Sequence, residues 1–122
     1  MLDLNSIMVG TDDPKTLVDF YTKVLGKPTM EDDVYHGWQV GSGWIMIAPH
    51  SEVKGRNEMP GRIMFNFETP DVKGEFERIK GVGGRVQQEP YSPDGAPGGM
   101  QVATFEDPDG NYFQLMSPMP QE

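Results

Sequence analysis

An internal repeat constrains this chain more than any other feature of its sequence. Moving the first half along by 58 positions places Asp13 on Asp71, Val24 on Val82 and Gly26 on Gly84. In each half a short apolar run precedes the aspartate and an amphipathic run follows it. Asp is a favoured helix N-cap, and Gly is the usual residue just after a helix end. The N-cap, the apolar stripe and the glycine that ends the helix all recur at the same offset. This recurrence indicates a duplicated strand–helix unit.

Each half is predicted to contain one helix and four strands. The apolar stripes of the helices are Leu17, Val18, Tyr21, Val24 and Leu25 in the first half, and Val72, Phe76 and Ile79 in the second. Their spacing is helical. The predicted strands are Leu4–Gly10, about Pro28–Asp32, Val34–Val40 and Trp44–Ala48, then Ile63–Glu68, Val86–Glu89, Gln101–Phe105 and Asn111–Met116.

The predicted fold class is therefore α+β, within a single domain. Two βαβββ modules are expected to form a curved eight-stranded sheet around a cleft, with the helices outside. Module 1 covers about residues 1–49, a polar linker about 50–60, and module 2 about 61–119. The Gly/Pro-rich stretch Pro90–Gly99 is either a lid over a site or a plain connection.

The last two strands are joined by Asp107-Pro108-Asp109-Gly110, which has the residues of a type I turn. Alternation along the final strand separates Tyr112, Gln114 and Met116 from Phe113 and Leu115. One face of that strand is purely apolar and the other carries an amide. This asymmetry predicts a helix against one face of the sheet and a cavity on the other.

Composition excludes several classes of function. The formal net charge is −9, from 19 acidic and 10 basic residues, which argues against nucleic acid and anionic membranes as partners. The excess of acidic residues is explained either by solubility alone or by a cationic ligand. The chain has no cysteine, so disulfides and thiolate chemistry are excluded. Without an apolar run or a leader-like start, we expect a soluble, cytoplasmic protein.

Both ends of the repeat carry motifs of a known superfamily. The residues are Asp13, Phe20-Tyr21 and Leu25-Gly26 near the start, and Phe105, Asp107-Pro108-Asp109-Gly110-Asn111 and Leu115 near the end. In this order they resemble the vicinal oxygen chelate superfamily of glyoxalases, bleomycin resistance proteins and dioxygenases. The resemblance implies a homodimer with clefts at or near the interface, and it leaves open whether the halves pair within one chain or swap between two.

Metal-dependent members of that superfamily hold a divalent ion with His and Glu side chains in the cleft. The four corresponding positions here are Ser6, Met46, Met64 and Gln114. Thioethers, a hydroxyl and a neutral amide are poor donors for such ions. The sequence therefore predicts no metal at this place and no cofactor.

The predicted ligand-binding residues are mostly methionines, aromatics and uncharged polar side chains. They are Ser6, Met8, His36, Trp38, Trp44, Met46, Met64, Asn66, Tyr112, Gln114 and Met116. Alternation places His36 on the face of Trp38 and Val40. The methionines are explained either by ordinary packing or by an adaptable apolar pocket for a small molecule.

Two hypotheses of function lead, with a third behind them. The favoured one is metal-independent binding of a small, partly apolar molecule, either neutral or cationic, similar to bleomycin resistance proteins. The alternative is a glyoxalase-type lyase or isomerase with non-standard residues, for which His36 or Glu52 is the available base; either residue is otherwise ordinary surface. A partner-binding domain with a vestigial cleft is the third.

Overall fold

The computed structural model describes residues 1–95 and 99–118 in two compact units. The first unit is Met1–Arg56 and the second begins at Asn57. Part of the predicted loop Pro90–Gly99, residues 96–98, and the predicted end of module 2 at residue 119 lie outside the described residues. Of the helices in the described part of the chain, none has the length and apolar character needed to cross a membrane.

The first unit is one four-stranded sheet with one helix. Its elements are β1 (Ser6–Thr11), α1 (Pro14–Leu25), β2 (Met30–Glu31), β3 (His36–Val40) and β4 (Gly43–Pro49). The strands lie in the order β1-β4-β3-β2. β1 runs parallel to β4, whereas β3 is antiparallel to both of its neighbours. The crossover between the parallel strands contains α1, as a parallel connection requires.

The second unit repeats this arrangement. Its elements are β5 (Phe65–Glu68), α2 (Val72–Gly81), β6 (Arg85–Tyr91), β7 (Val102–Glu106) and β8 (Tyr112–Met116), preceded by a short 3-10 helix, Pro60–Arg62. The strand order is β5-β8-β7-β6, with β5 parallel to β8. The α+β class and the two βαβββ modules predicted from the repeat are confirmed. The eight strands form two four-stranded sheets.

The helices begin where the repeat predicts. The side chains of Asp13 and Asp71 accept hydrogen bonds from the backbone N–H of Thr16 and Gly74, three residues further on. Each satisfies a donor that the helix leaves unpaired. Gly26 follows α1 with φ +92°, a conformation that favours glycine.

The apolar stripes of both helices supply much of the core. Leu17, Tyr21 and Val24 are buried in the first unit, and Val72, Phe76 and Ile79 in the second. Phe20, which the first predicted stripe omitted, is also buried and meets Tyr21 edge to face. The inward residues of the sheets complete each core and include Ile45, Ile47, Phe105, Phe113 and Leu115.

The turn between β7 and β8 is held by a buried carboxylate. Asp107 is 1% exposed. Its Oδ1 accepts from the backbone N–H of Asp109 (2.9 Å) and Asn111 (3.0 Å), and its Oδ2 from the Asn111 amide (3.0 Å). Gly110 N–H donates to Asp107 O at 2.9 Å, which confirms the predicted four-residue turn.

Candidate functional site

The face of the first sheet turned away from α1 carries polar and sulfur-containing side chains. Parallel pairing sets Ser6 opposite Trp44 and Met8 opposite Met46. Residues one position away, such as Ile45 and Ile47, are buried on the helix side. Successive residues of a strand point to opposite faces. Ser6, Met8, Trp44 and Met46 therefore share the outer face of β1 and β4.

A cavity of about 470 Å³ lies on this face. We call it the methionine pocket. It is lined by Asn5, Ser6, Met8, Met30, Tyr35, Trp44 and Met46. Its size falls within the range of small-molecule sites, which are mostly apolar with a few polar groups. The lining residues include three thioethers, an indole, a phenol, one aliphatic hydroxyl and one amide, and none of them is charged. The pocket unites four of the residues predicted from the sequence.

Three lining residues were not predicted as ligand-binding from the sequence: Asn5, Met30 and Tyr35. Met30 lies beside Gly37 in the β2–β3 pair, and Gly37 in turn lies beside Met46. Met30 lies within the predicted strand at about Pro28–Asp32, and that was the only signal in the sequence. Asn5 and Tyr35 lie inside the predicted strands Leu4–Gly10 and Val34–Val40 but just before the observed β1 and β3. Alternation along those strands did not show which face would line a pocket.

Tyr35 is positioned by an acidic turn. The carboxylate of Asp32 accepts hydrogen bonds from the N–H groups of Tyr35 (2.7 Å) and Val34 (2.8 Å). These bonds, that of Tyr35 first, lower the pKa of Asp32 below its ordinary value because they stabilise the charged form. Asp32 N–H also donates to Tyr35 O at 2.9 Å. The turn thus fixes the backbone that presents the phenol to the pocket.

Trp38 was predicted to be a ligand-binding residue, but it is buried on the face of β3 opposite to the pocket. It is 2% exposed, and its ring lies 6.4 Å from that of Tyr21 on α1. Its indole N–H donates to Gly26 O at 2.8 Å, just beyond the helix end. Alternation along β3 was predicted correctly, but the face of β3 that α1 covers could not be predicted from it. An indole can fill a core when its N–H finds an acceptor, and Gly26 provides one.

His36 shares the helix-covered face with Trp38, as the alternation predicted, and it therefore also lies away from the pocket face. Its Nε2 is 3.5 Å from Glu31 Oε2 on the neighbouring strand. Its Nδ1 is buried with no hydrogen-bond partner among the described residues. Glu52 is exposed in the turn after β4, and its backbone N–H donates to His50 Nδ1 at 3.1 Å. Neither candidate base lines the methionine pocket.

The remaining predicted residues belong to the second unit. Asn66, Gln114 and Thr104 form one row across β5, β8 and β7. The Gln114 amide donates to the Thr104 hydroxyl at 3.0 Å. The other predicted members of this group are Met64, just before β5, and Tyr112 and Met116, which alternate with the buried Phe113 and Leu115 on β8. This face of the second sheet is thus polar where the helix-covered face is aromatic.

The four positions where the superfamily resemblance places metal ligands do not fit a hard divalent ion here. Ser6 and Met46 lie in the first unit, and Met64 and Gln114 in the second. None carries a charge, and the amide of Gln114 already donates to Thr104. Within residues 1–95 and 99–118, no group of three or more His, Cys, Asp or Glu is arranged to hold a metal. These donors do not suit Mg²⁺, Mn²⁺, Fe²⁺ or Zn²⁺.

Comparison with known proteins agrees with this architecture. The sequence model of a family described as a glyoxalase-like domain matches residues 6–116. The chain therefore belongs to the glyoxalase-like domain family, within the vicinal oxygen chelate superfamily. A comparison with curated proteins finds no match.

Solved structures share the fold over nearly the full chain. A glyoxalase/bleomycin resistance protein/dioxygenase family enzyme from Burkholderia phytofirmans PsJN has TM-score 0.74 and 19% identity, covering 97% of this chain and 100% of its own. The fosfomycin resistance protein FosX from Listeria monocytogenes has TM-score 0.72 and 18% identity, covering 98% and 95%. TioX from Micromonospora sp. ML1 has TM-score 0.70 and 18% identity, covering 96% and 99%. At these identities the likeness establishes the fold alone.

Proposed function

We propose that this protein binds a small, partly apolar molecule without a divalent metal ion, and that the methionine pocket is the binding site. The observation that carries the proposal is the pocket itself: about 470 Å³ of space on an open sheet face, with an uncharged lining. One structural neighbour, FosX, is named as a fosfomycin resistance protein. That name fits the proposed role, in which a protein of this fold binds a small compound.

The lining favours a flat or irregular apolar ligand. Trp44 and Tyr35 offer aromatic faces on which a planar group stacks. Met8, Met30 and Met46 are unbranched, and their side chains adapt to different shapes. Ser6 and Asn5 supply a hydroxyl and an amide, which orient a ligand with few polar groups. The pocket thus offers a ligand a large apolar contact area and only a few polar groups to bind.

The charge around the pocket favours a ligand with a positive group. Glu31, Asp32 and Asp33 are exposed and occupy the chain between Met30 and Tyr35, two residues of the lining. The whole chain carries a net charge of −9. Such a field raises the local concentration of cations and speeds their association. The acidic turn therefore selects among apolar ligands by charge, without contacting them.

The decisive experiment is a binding titration with matched dyes. Flat aromatic cations and flat aromatic anions of equal size are titrated into the protein, with tryptophan fluorescence and native mass spectrometry as readouts. Bleomycin is included as a cationic drug. We expect saturable binding of cations, quenching of Trp44, and no effect of a divalent-metal chelator. Absence of saturable binding across the panel refutes the proposal.

Two lysine variants identify the site. Met46→Lys places a charge on the floor of the pocket, whereas Met59→Lys places it on an exposed residue of the second unit, 62% exposed. An unpaired ammonium in an apolar site is costly. We expect Met46→Lys to weaken dye binding by about tenfold or more and Met59→Lys to leave it unchanged. Equal behaviour of the two folded variants would place the binding elsewhere.

A glyoxalase-type lyase is the alternative, and family membership is what favours it. It is tested with a hemithioacetal substrate in the presence and absence of added divalent metal. The proposal of binding without chemistry predicts no turnover in either condition. Metal-stimulated turnover would replace it with the enzymatic alternative.

A further inference from the structure

Three methionines and one glycine form a single row across the first sheet. Met8 on β1 lies opposite Met46 on β4, Met46 opposite Gly37 on β3, and Gly37 opposite Met30 on β2. All three methionines line the methionine pocket. Residues directly opposite on neighbouring strands place their side chains on the same face, about 5 Å apart. The row therefore brings three thioethers into one cavity.

Gly37 allows two of the sulfur atoms to converge. A Cβ atom at this position would lie 2.5 Å from Met46 Sδ and 3.2 Å from Met30 Sδ. Both sulfurs thus lie close to one point above β3, and their separation cannot exceed the sum of these two distances. Met8 is 53% exposed and stands on the other side of Met46. Its three rotatable side-chain bonds let its sulfur turn toward the other two.

Thioethers are soft, neutral donors that select Cu(I) over hard divalent ions. Because the lining residues include no carboxylate and no imidazole, nothing among them favours a hard cation. The rings of Trp44 and Tyr35 add π faces, which attract a cation.

From this row we infer a binding site for a soft monovalent cation, with Met8, Met30 and Met46 as ligands. Its chemical class is Cu(I), or Ag(I) as a redox-inert analogue. The inference is separate from small-molecule binding, because it depends on the three sulfur atoms and not on the volume of the pocket. The two occupants share the cavity, so each excludes the other.

The test uses Ag(I) nitrate in chloride-free buffer and the full chain labelled with 13C at the methionine methyl groups. Calorimetry gives stoichiometry and affinity, and NMR shows which methionines respond. We expect one strongly bound Ag(I) per chain and shifts confined to the methyl groups of Met8, Met30 and Met46. Competition with a chromophoric Cu(I) chelator under anaerobic, reducing conditions extends the result to Cu(I). Shifts spread over all methionines, or absence of binding, overturn the inference.

Matched variants separate this site from other silver-binding groups. Leucine keeps the apolar volume of methionine and removes the sulfur. We expect the double variant Met30→Leu with Met46→Leu to weaken Ag(I) binding at least about tenfold, and Met59→Leu to leave it unchanged. Gly37→Ala, which pushes both sulfurs away, should weaken it as well. Strong binding that survives in the double variant would belong to other donors, such as the histidines or the remaining methionines, and would overturn the inference.

The dye titration on the same samples keeps the two proposals apart. Dye binding without Ag(I) binding refutes only the soft-cation site. Ag(I) binding without any dye binding refutes only the proposed function.

Discussion

The two tryptophans of this chain should respond to the same substitution in opposite ways. Trp38 is buried between the sheet and α1, with its indole N–H bonded to Gly26 O at 2.8 Å. Trp44 lines the methionine pocket. Replacing each by phenylalanine removes the same atoms from two different environments. The pair therefore tests which tryptophan supports the fold and which serves the site.

The magnitude for Trp38→Phe follows from its contacts. Loss of the hydrogen bond costs about 1 kcal/mol, since the carbonyl of Gly26 is left without this donor. Loss of the second ring from a closed core adds about 1–2 kcal/mol, a fraction of the cost of truncating a buried Trp to Ala. The free energy of unfolding should fall by about 2–3 kcal/mol. For a domain of this size the melting temperature should drop by roughly 10 °C.

Trp44→Phe removes a half-buried ring from an open pocket and breaks no hydrogen bond recorded in the structure. Its effect on stability should stay within about 0.5–1 kcal/mol. Dye affinity should instead fall several-fold, because a smaller aromatic face remains for stacking.

Urea denaturation and dye titration of the two variants provide the measurements. Trp38→Phe should lower the unfolding midpoint and leave the dye affinity of the folded protein unchanged. The reverse pattern, a stable Trp38→Phe protein with impaired binding and a destabilised Trp44→Phe protein, would show that the faces of β3 and β4 have been assigned wrongly.

Three further predictions concern the turns and the assembly. Asp107→Ala should destabilise the second unit by about 3 kcal/mol in urea denaturation, because it leaves the N–H groups of Asp109 and Asn111 without their buried acceptor; an unchanged midpoint would contradict this. The folded-state pKa of Asp32 is lowered, so its contribution to the turn is complete above the unfolded value of about 4 and is lost as the pH falls through the lower folded value. The backbone amide NMR signal of Tyr35 should therefore move in acid, and Asp32→Ala should abolish that transition. Light scattering should give the mass of a homodimer, whereas a strictly monomeric mass at high concentration would refute this prediction.

Much of the fold follows from short-range rules that the sequence displays directly. Asp13 and Asp71 begin the helices, and Gly26 ends the first, because capping and a positive φ depend on the local backbone. The turn at Asp107 depends on a side chain that bonds to its own neighbours. The inward residues of α2 follow from helical spacing alone. These features could be predicted because each involves residues a few positions apart.

The site was predicted only in part. The pocket lining includes four of the predicted ligand-binding residues, Ser6, Met8, Trp44 and Met46. They share one face because the parallel pairing of β1 and β4 sets alternate residues of the two strands opposite each other. Trp38 was misplaced, since alternation states that a strand has two faces but not which of them receives the helix. Met30 lies in a two-residue strand, where periodicity gives little guidance. Tyr35 lies in a strand that was predicted, but its sequence did not show which face would line the pocket.

The sequence by itself determined that the chain is a duplicated βαβββ unit, that both helices begin at an aspartate, and that uncharged side chains occupy the positions where relatives place metal ligands. Only the tertiary structure decided that Trp38 supports α1, that Met30 and Tyr35 join the pocket, and that two sulfur atoms converge above Gly37. The physical reason is the range of the interactions. Capping and periodicity act within one turn or one strand, whereas the choice of face and the distances across a sheet depend on which strands pair.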